Sequence, residues 1–255
     1  MWNAIRAIDD LLRGEATRLS KLKAGPFNVP AGGLTALVIL LGAFHGFCMG
    51  WLSLFATEPV FAQVFASMVK VPALFLLTLL VTFPSLYAFN ALVGSRFGLP
   101  NLFRLLIASM AVMVAVLASF GPIVAFFSIT TSNYPFMVLL NVLFCAIAGG
   151  LGLAFLLQTL QRLTLLETPP EEPTTFVPVA PEPMGALDKM QGSILGKNVK
   201  IVFGCWIIVY GLVGAQMSWV LRPFIGNPDQ DFAWFRPRES NFFEAVIRAF
   251  VQLFS

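Results

Sequence analysis

His45 is the only histidine of the chain, and in GAFHGFCMG it precedes Cys48 by three residues and Met49 by four. His, Cys and Met are soft ligands, and at this spacing they share one face of a helix, as a metal or haem ligand set would. The rest of a coordination shell is not in the sequence. There is no second histidine and no CxxC or CxxCH motif. The expected role of His45 is therefore packing or a buried hydrogen bond, with metal ligation the minor alternative and no cofactor. Cys145 and Cys205, like Cys48, fall in apolar runs, where a thiol behaves as a small hydrophobe.

Catalytic constellations are equally sparse. No GxSxG, HExxH, Walker loop or dinucleotide fingerprint occurs. Adjacent acidic residues are confined to Asp9-Asp10 and Glu171-Glu172, where solvated charge is the ordinary explanation. An active site would have to be assembled from Glu58, Asp229, Asp231, Glu239 and the arginines near the C-terminus. The expectation is a protein that is not an enzyme. A better supported pattern surrounds His45: Gly42, Gly46 and Gly50 recur every four residues and line one helix face. In lipid, small residues at that spacing let a second helix backbone approach closely, and such packing drives helix association. Gly211, Gly214 and Ala215 form a looser version.

These residues must be positioned by a bilayer. The 255-residue chain is 58% hydrophobic and 11% charged, with a mean hydropathy of +0.82. Ordinary soluble domains carry roughly 25% charged residues. So apolar a chain needs lipid as its solvent. Its net charge of +3 is too small to suggest nucleic acid. The predicted architecture is all-α and polytopic, with five spans over residues 34–56, 71–93, 105–127, 135–160 and 201–221. Pro84 should kink the second span and Gly121-Pro122 should interrupt the third. Residues 57–70 read as a tilted interfacial or re-entrant helix, too short and too mixed to span. As drawn, no span contains Asp, Glu, Lys or Arg, which counts against an ion-coupled pump or antiporter.

Outside the spans, residues 1–30 read as an amphipathic helix and a breaker. Ile5, Ile8, Leu12, Ala16 and Leu19 form a stripe, with Arg6, Asp9, Asp10, Arg13 and Arg18 around the remainder. Such a helix rests on the membrane or packs on its own chain or a partner. It lacks a signal-peptide core, so the chain is expected to start at Met1 when mature. Residues 31–165 form a four-span block and residues 166–198 a tether. Six prolines and four glutamates between 167 and 185 favour solvated polyproline II there. Residues 199–222 are the fifth span and 223–255 an extracytoplasmic tail. With the N-terminus inside, eleven of the sixteen Lys and Arg residues lie on inner segments, so the positive-inside rule puts the N-terminus in the cytoplasm.

The tail looks built for contact. Arg222, Phe232, Trp234, Phe235, Arg236 and Arg238 are residue types enriched at interface hot spots. Asn241 with Glu244 resembles a capping box opening a short amphipathic helix, which should lie on the outer leaflet or against a partner. The block GAQMSWVLRPFIG, followed by WFRPRESNFFEAV, resembles the C-terminal region of uncharacterised bacterial polytopic membrane proteins. That resemblance implies a bacterial inner-membrane location and carries over no site. The functional expectation is a non-catalytic scaffold or accessory subunit in the lipid bilayer, with a membrane-protein partner or a second copy. The alternative is a passive carrier or channel subunit with a path between spans two and three.

Overall fold

The computed structural model describes residues 2–18, 29–54, 60–92, 99–131, 133–167, 191–225, 232–237 and 240–254. These residues form eight α-helices and no strand. They are α1 (Trp2–Leu12), α2 (Ala31–Gly50), α3 (Phe61–Leu92), α4 (Leu99–Ser119), α5 (Gly121–Thr130), α6 (Tyr134–Glu167), α7 (Gln191–Leu221) and α8 (Phe242–Phe254). A short 3-10 turn, Trp51–Leu54, extends α2. Five stretches are long and apolar enough to cross a membrane: Ala31–Gly50, Phe61–Ser85, Pro100–Thr130, Tyr134–Leu160 and Gly204–Leu221. The chain is a polytopic helical membrane protein.

Local chemistry sets the element ends. Gly14 takes a left-handed φ of 69° just past α1, a conformation that favours glycine at helix C-termini. Phe120 is a one-residue turn before Gly121-Pro122, so α4 and α5 are two segments of one span, as the glycine–proline pair predicted. At the start of α6, Asn133 Oδ1 accepts the Phe136 N–H at 3.0 Å and caps it.

The spans form an arc. α2 packs on α3 and α4, α3 packs on α7, and α4 packs on α6. α6 and α7 close the arc only weakly, and α8 lies across both. Gly152 allows the α4–α6 approach, since a Cβ there would lie 2.7 Å from the Met113 Cβ. The fifth span is tied to α3 by Trp206, which is 1% exposed and donates its indole N–H to the Thr82 carbonyl at 3.2 Å. It docks on the second span as part of the bundle.

Three boundaries differ from those read off the sequence. Residues 61–70 belong to α3, which runs as one helix through Pro72 and Pro84. Proline is tolerated inside spans because neighbouring groups serve the freed backbone positions. Consequently Lys70 lies inside a spanning helix, and Arg104 lies near the start of the third span, so the spans are not free of charge. Gly32 and Gly33, which precede the first span as expected over 34–56, are in the first turn of α2. There Gly33 lets α1 come close, because its Cβ would lie 2.9 Å from the Ala4 Cβ. The tether is shorter than expected, since Glu167 ends α6 and Gln191 begins α7. Residues 168–190 lie outside the described residues.

Candidate functional site

The glycine face and a polar face of α3 together build the site. α2 and α3 run antiparallel, with Gly42 against Pro72, Gly46 against Ser67 and Gly50 against Val64. A Cβ on Gly46 would lie 2.3 Å from the Ser67 carbonyl oxygen, and one on Gly50 would lie 2.9 Å from the Val64 Cα. Backbone faces backbone across this seam.

Gln63, Ser67 and Lys70 stand at i, i+4 and i+7 on α3, hence on one side of the helix, and all three are buried. What covers them is the chain that leaves α7. Gln63 Nε2 donates to the Phe224 carbonyl at 3.2 Å and to the Pro223 carbonyl at 3.4 Å. The Ser67 hydroxyl donates to the Phe224 carbonyl as well. Lys70 Nζ donates to the Pro223 carbonyl at 3.1 Å and to the Trp234 carbonyl. The ammonium also sits 5.8 Å from the Trp234 ring centroid and 5.3 Å from that of Phe235. No carboxylate pairs with it among the described residues.

Magnitudes show why this arrangement holds. A lysine at the centre of a spanning helix costs about 2.5–3.5 kcal/mol of insertion free energy, an upper bound for Lys70, whose carbonyl partners lie past the end of the fifth span. Hydrogen bonds from a charged donor contribute roughly 1.5–3 kcal/mol each, and a desolvated cation–π contact contributes about 2 kcal/mol. Two such bonds offset the insertion cost, and the aromatic faces add a margin. Lys70 acts as a cationic clasp that holds two carbonyls of the tail.

No protein-family model, curated protein or solved structure matches this chain.

Of the tail residues singled out from the sequence, Arg222 turns inward. Its guanidinium lies 3.3 Å from the Trp219 ring centroid and donates to the Pro237 carbonyl. The Trp219 indole N–H donates to the Ser240 carbonyl, which fixes the start of α8 beside the end of α7. Trp234 and Phe235 cover Lys70 on one side and remain 45% and 59% exposed on the other. Phe232 packs edge-on to Trp234, with ring centroids 6.1 Å apart. Arg236 is half-buried, and its charge acts on both Lys70 and Tyr134. Arg238 lies outside the described residues.

Asn241 caps α8 by accepting the Glu244 N–H at 2.9 Å, while the Glu244 carboxylate turns to Arg248. Only the Asn241 half of the capping box is formed, because the Glu244 carboxylate is engaged by Arg248. His45 is 0% exposed between α2 and α4, with the Leu117 backbone beside it and no hydrogen-bond partner at either ring nitrogen. Cys48, its neighbour in sequence, is spoken for by packing: a Cβ on Gly121 would lie 3.1 Å from its Sγ. Among the described residues, no three His, Cys, Asp or Glu side chains converge.

A second clasp lies at the opposite end of the bundle. Arg162 Nη1 donates to the Thr17 carbonyl at 2.8 Å and to the Thr17 hydroxyl at 2.9 Å. It ties the segment after α1 to the end of α6. Ala4, Ile8 and Leu11 of α1 are buried against α2 and α4, so this helix packs on its own chain. Trp2, Ile5 and Leu12 keep an exposed apolar edge.

Gln63, Ser67, Lys70 and Thr17 were not identified from the sequence. The signal available for the first three was a polar stripe at helical spacing, QxxxSxxK, in an otherwise apolar run.

Proposed function

We propose that this chain is a non-catalytic scaffold or accessory subunit of a larger complex in the bacterial inner membrane. Its N-terminus is cytoplasmic and its tail extracytoplasmic. The observation that carries this reading is that Lys70 is consumed by the chain's own tail. Two carbonyls and two rings enclose it. An intramembrane cation that served a transport path would face a cavity or a mobile partner. Here it fixes an architecture, and Arg162 does the same at the other end. The fixed ends then present exposed apolar ridges, Trp2 and Ile5 on α1 and the aromatic Trp234 and Phe235 on the tail. Aromatic anchors held rigidly by charged neighbours are the form that interface hot spots take. The lysine and arginine asymmetry and the resemblance of the C-terminal block support the location and the orientation.

The test is a photo-crosslinking amino acid at Phe235 in cells, combined with native mass measurement of the purified protein. The scaffold reading expects one defined adduct, lost when W234A is added while the five spans remain inserted. A monomer that yields no adduct and supports solute flux in liposomes would transfer the assignment to a passive transport component.

A further inference from the structure

We infer that α8 lies in the outer leaflet as a horizontal interfacial helix, and that the partner of its exposed apolar face is membrane lipid. Its side chains divide into three faces about a third of a turn apart. Ala249 is buried, and the half-buried Phe242, Val246 and Leu253 flank it toward α6 and α7. Phe243, Ile247, Phe250, Val251 and Phe254 form the second face and are all exposed. Glu244, Arg248 and Gln252 form the third.

A helix on the surface of a soluble protein needs two faces, one inward and one outward. Three faces fit a helix with three environments: protein on one side, hydrocarbon below and water above. The height is fixed by the Trp219 N–H to the Ser240 carbonyl, which sets α8 level with the end of the fifth span. α6, on which α8 packs, carries exposed apolar side chains of its own, Leu143, Ile147 and Leu151. Charge also favours lipid, since Glu244 and Arg248 pair with one another and leave the polar face without net charge.

Nitroxide labels on single cysteines at positions 248, 249, 250, 252 and 254 test this. They are placed in full-length protein lacking Cys48, Cys145 and Cys205 and reconstituted at low density in phosphatidylethanolamine–phosphatidylglycerol nanodiscs. The expected result is several-fold higher oxygen than nickel-chelate accessibility at 250 and 254, with the reverse at 248 and 252. Position 249 should be protected from both. The depth at 250 and 254 should be roughly 5–10 Å below the phosphates. Nickel accessibility at 250 and 254 would overturn the inference by placing that face in water. Protection of these two from both reagents would overturn it in favour of a second copy. A labelled set that loses the helical pattern throughout is answered by the unlabelled protein, in which F250K should shift α8 into water and raise its proteolysis, whereas Q252K should not. Equal proteolysis of the two lysine variants would also count against lipid burial.

Discussion

Lys70 and His45 are both buried polar side chains in spanning helices, and they differ in what the chain supplies to them. Lys70 has two carbonyls and two rings, whereas His45 has only the Leu117 backbone beside it, outside full hydrogen-bond geometry. An unsatisfied buried polar group costs about 1–3 kcal/mol, so H45F should raise the thermal midpoint of the detergent-solubilised protein. A midpoint lowered in H45F and also in the smaller H45L would show that the imidazole itself is stabilising. K70M has a different expected outcome. It loses hydrogen bonds worth roughly 1.5–3 kcal/mol each but removes an insertion cost of about 2.5–3.5 kcal/mol. The ring contacts are lost as well, so bundle stability should fall by about 1–3 kcal/mol while the tail loosens. A cysteine at position 235 should be alkylated faster in K70M than in the parent, and equal rates would deny Lys70 its clasping role.

At the scale of elements, the α2–α3 seam makes the sharpest demand on side-chain size. A Cβ on Gly46 meets the backbone of Ser67 at 2.3 Å, and backbone cannot swing aside as a flexible side chain can. G46A should cost about 1–3 kcal/mol through overpacking. G211A should be neutral, because nothing lies within 4 Å of its Cβ. Equal unfolding midpoints for the two variants would remove the seam from the account. The glycine spacing that points to this seam is visible in the sequence because helix periodicity is local. The extent of α3 is not. Lys70 and Pro72 look like a helix boundary, and the groups that make them tolerable are Gly42 on one side and carbonyls 153 and 164 residues later on the other.

Across the whole molecule, the five apolar stretches could be read from composition alone, since each must cover the bilayer by itself. The arc, with α7 on α3 rather than on α6, could not be read that way. It depends on contacts such as Trp206 to Thr82 that no local pattern announces. The two clasps sit at opposite ends of the bundle, so tags placed after Met1 and after Ser255 should be accessible from opposite sides of sealed vesicles. Access to both from one side would overturn the five-span arrangement. Replacing Arg162 by alanine should free the segment around Thr17 to proteolysis without altering alkylation at position 235, because the clasps share no residue.

The Lys70 clasp also has a consequence in time. Its second carbonyl is 164 residues further along the chain. At about 5–20 residues per second, synthesis delivers that carbonyl roughly 10–30 s after the lysine. During this interval the ammonium has neither of its carbonyls, and its long stem lets it reach for headgroups and water. The expected outcome is that the second span enters the bilayer with Lys70 at the interface, starting near Val71, and that residues 61–70 are covered only when the tail arrives. Nascent chains arrested before Pro223 should therefore show position 65 open to aqueous alkylation, and released chains should show it closed. The boundary that local sequence assigns at Val71 would then be the depth of a biosynthetic intermediate.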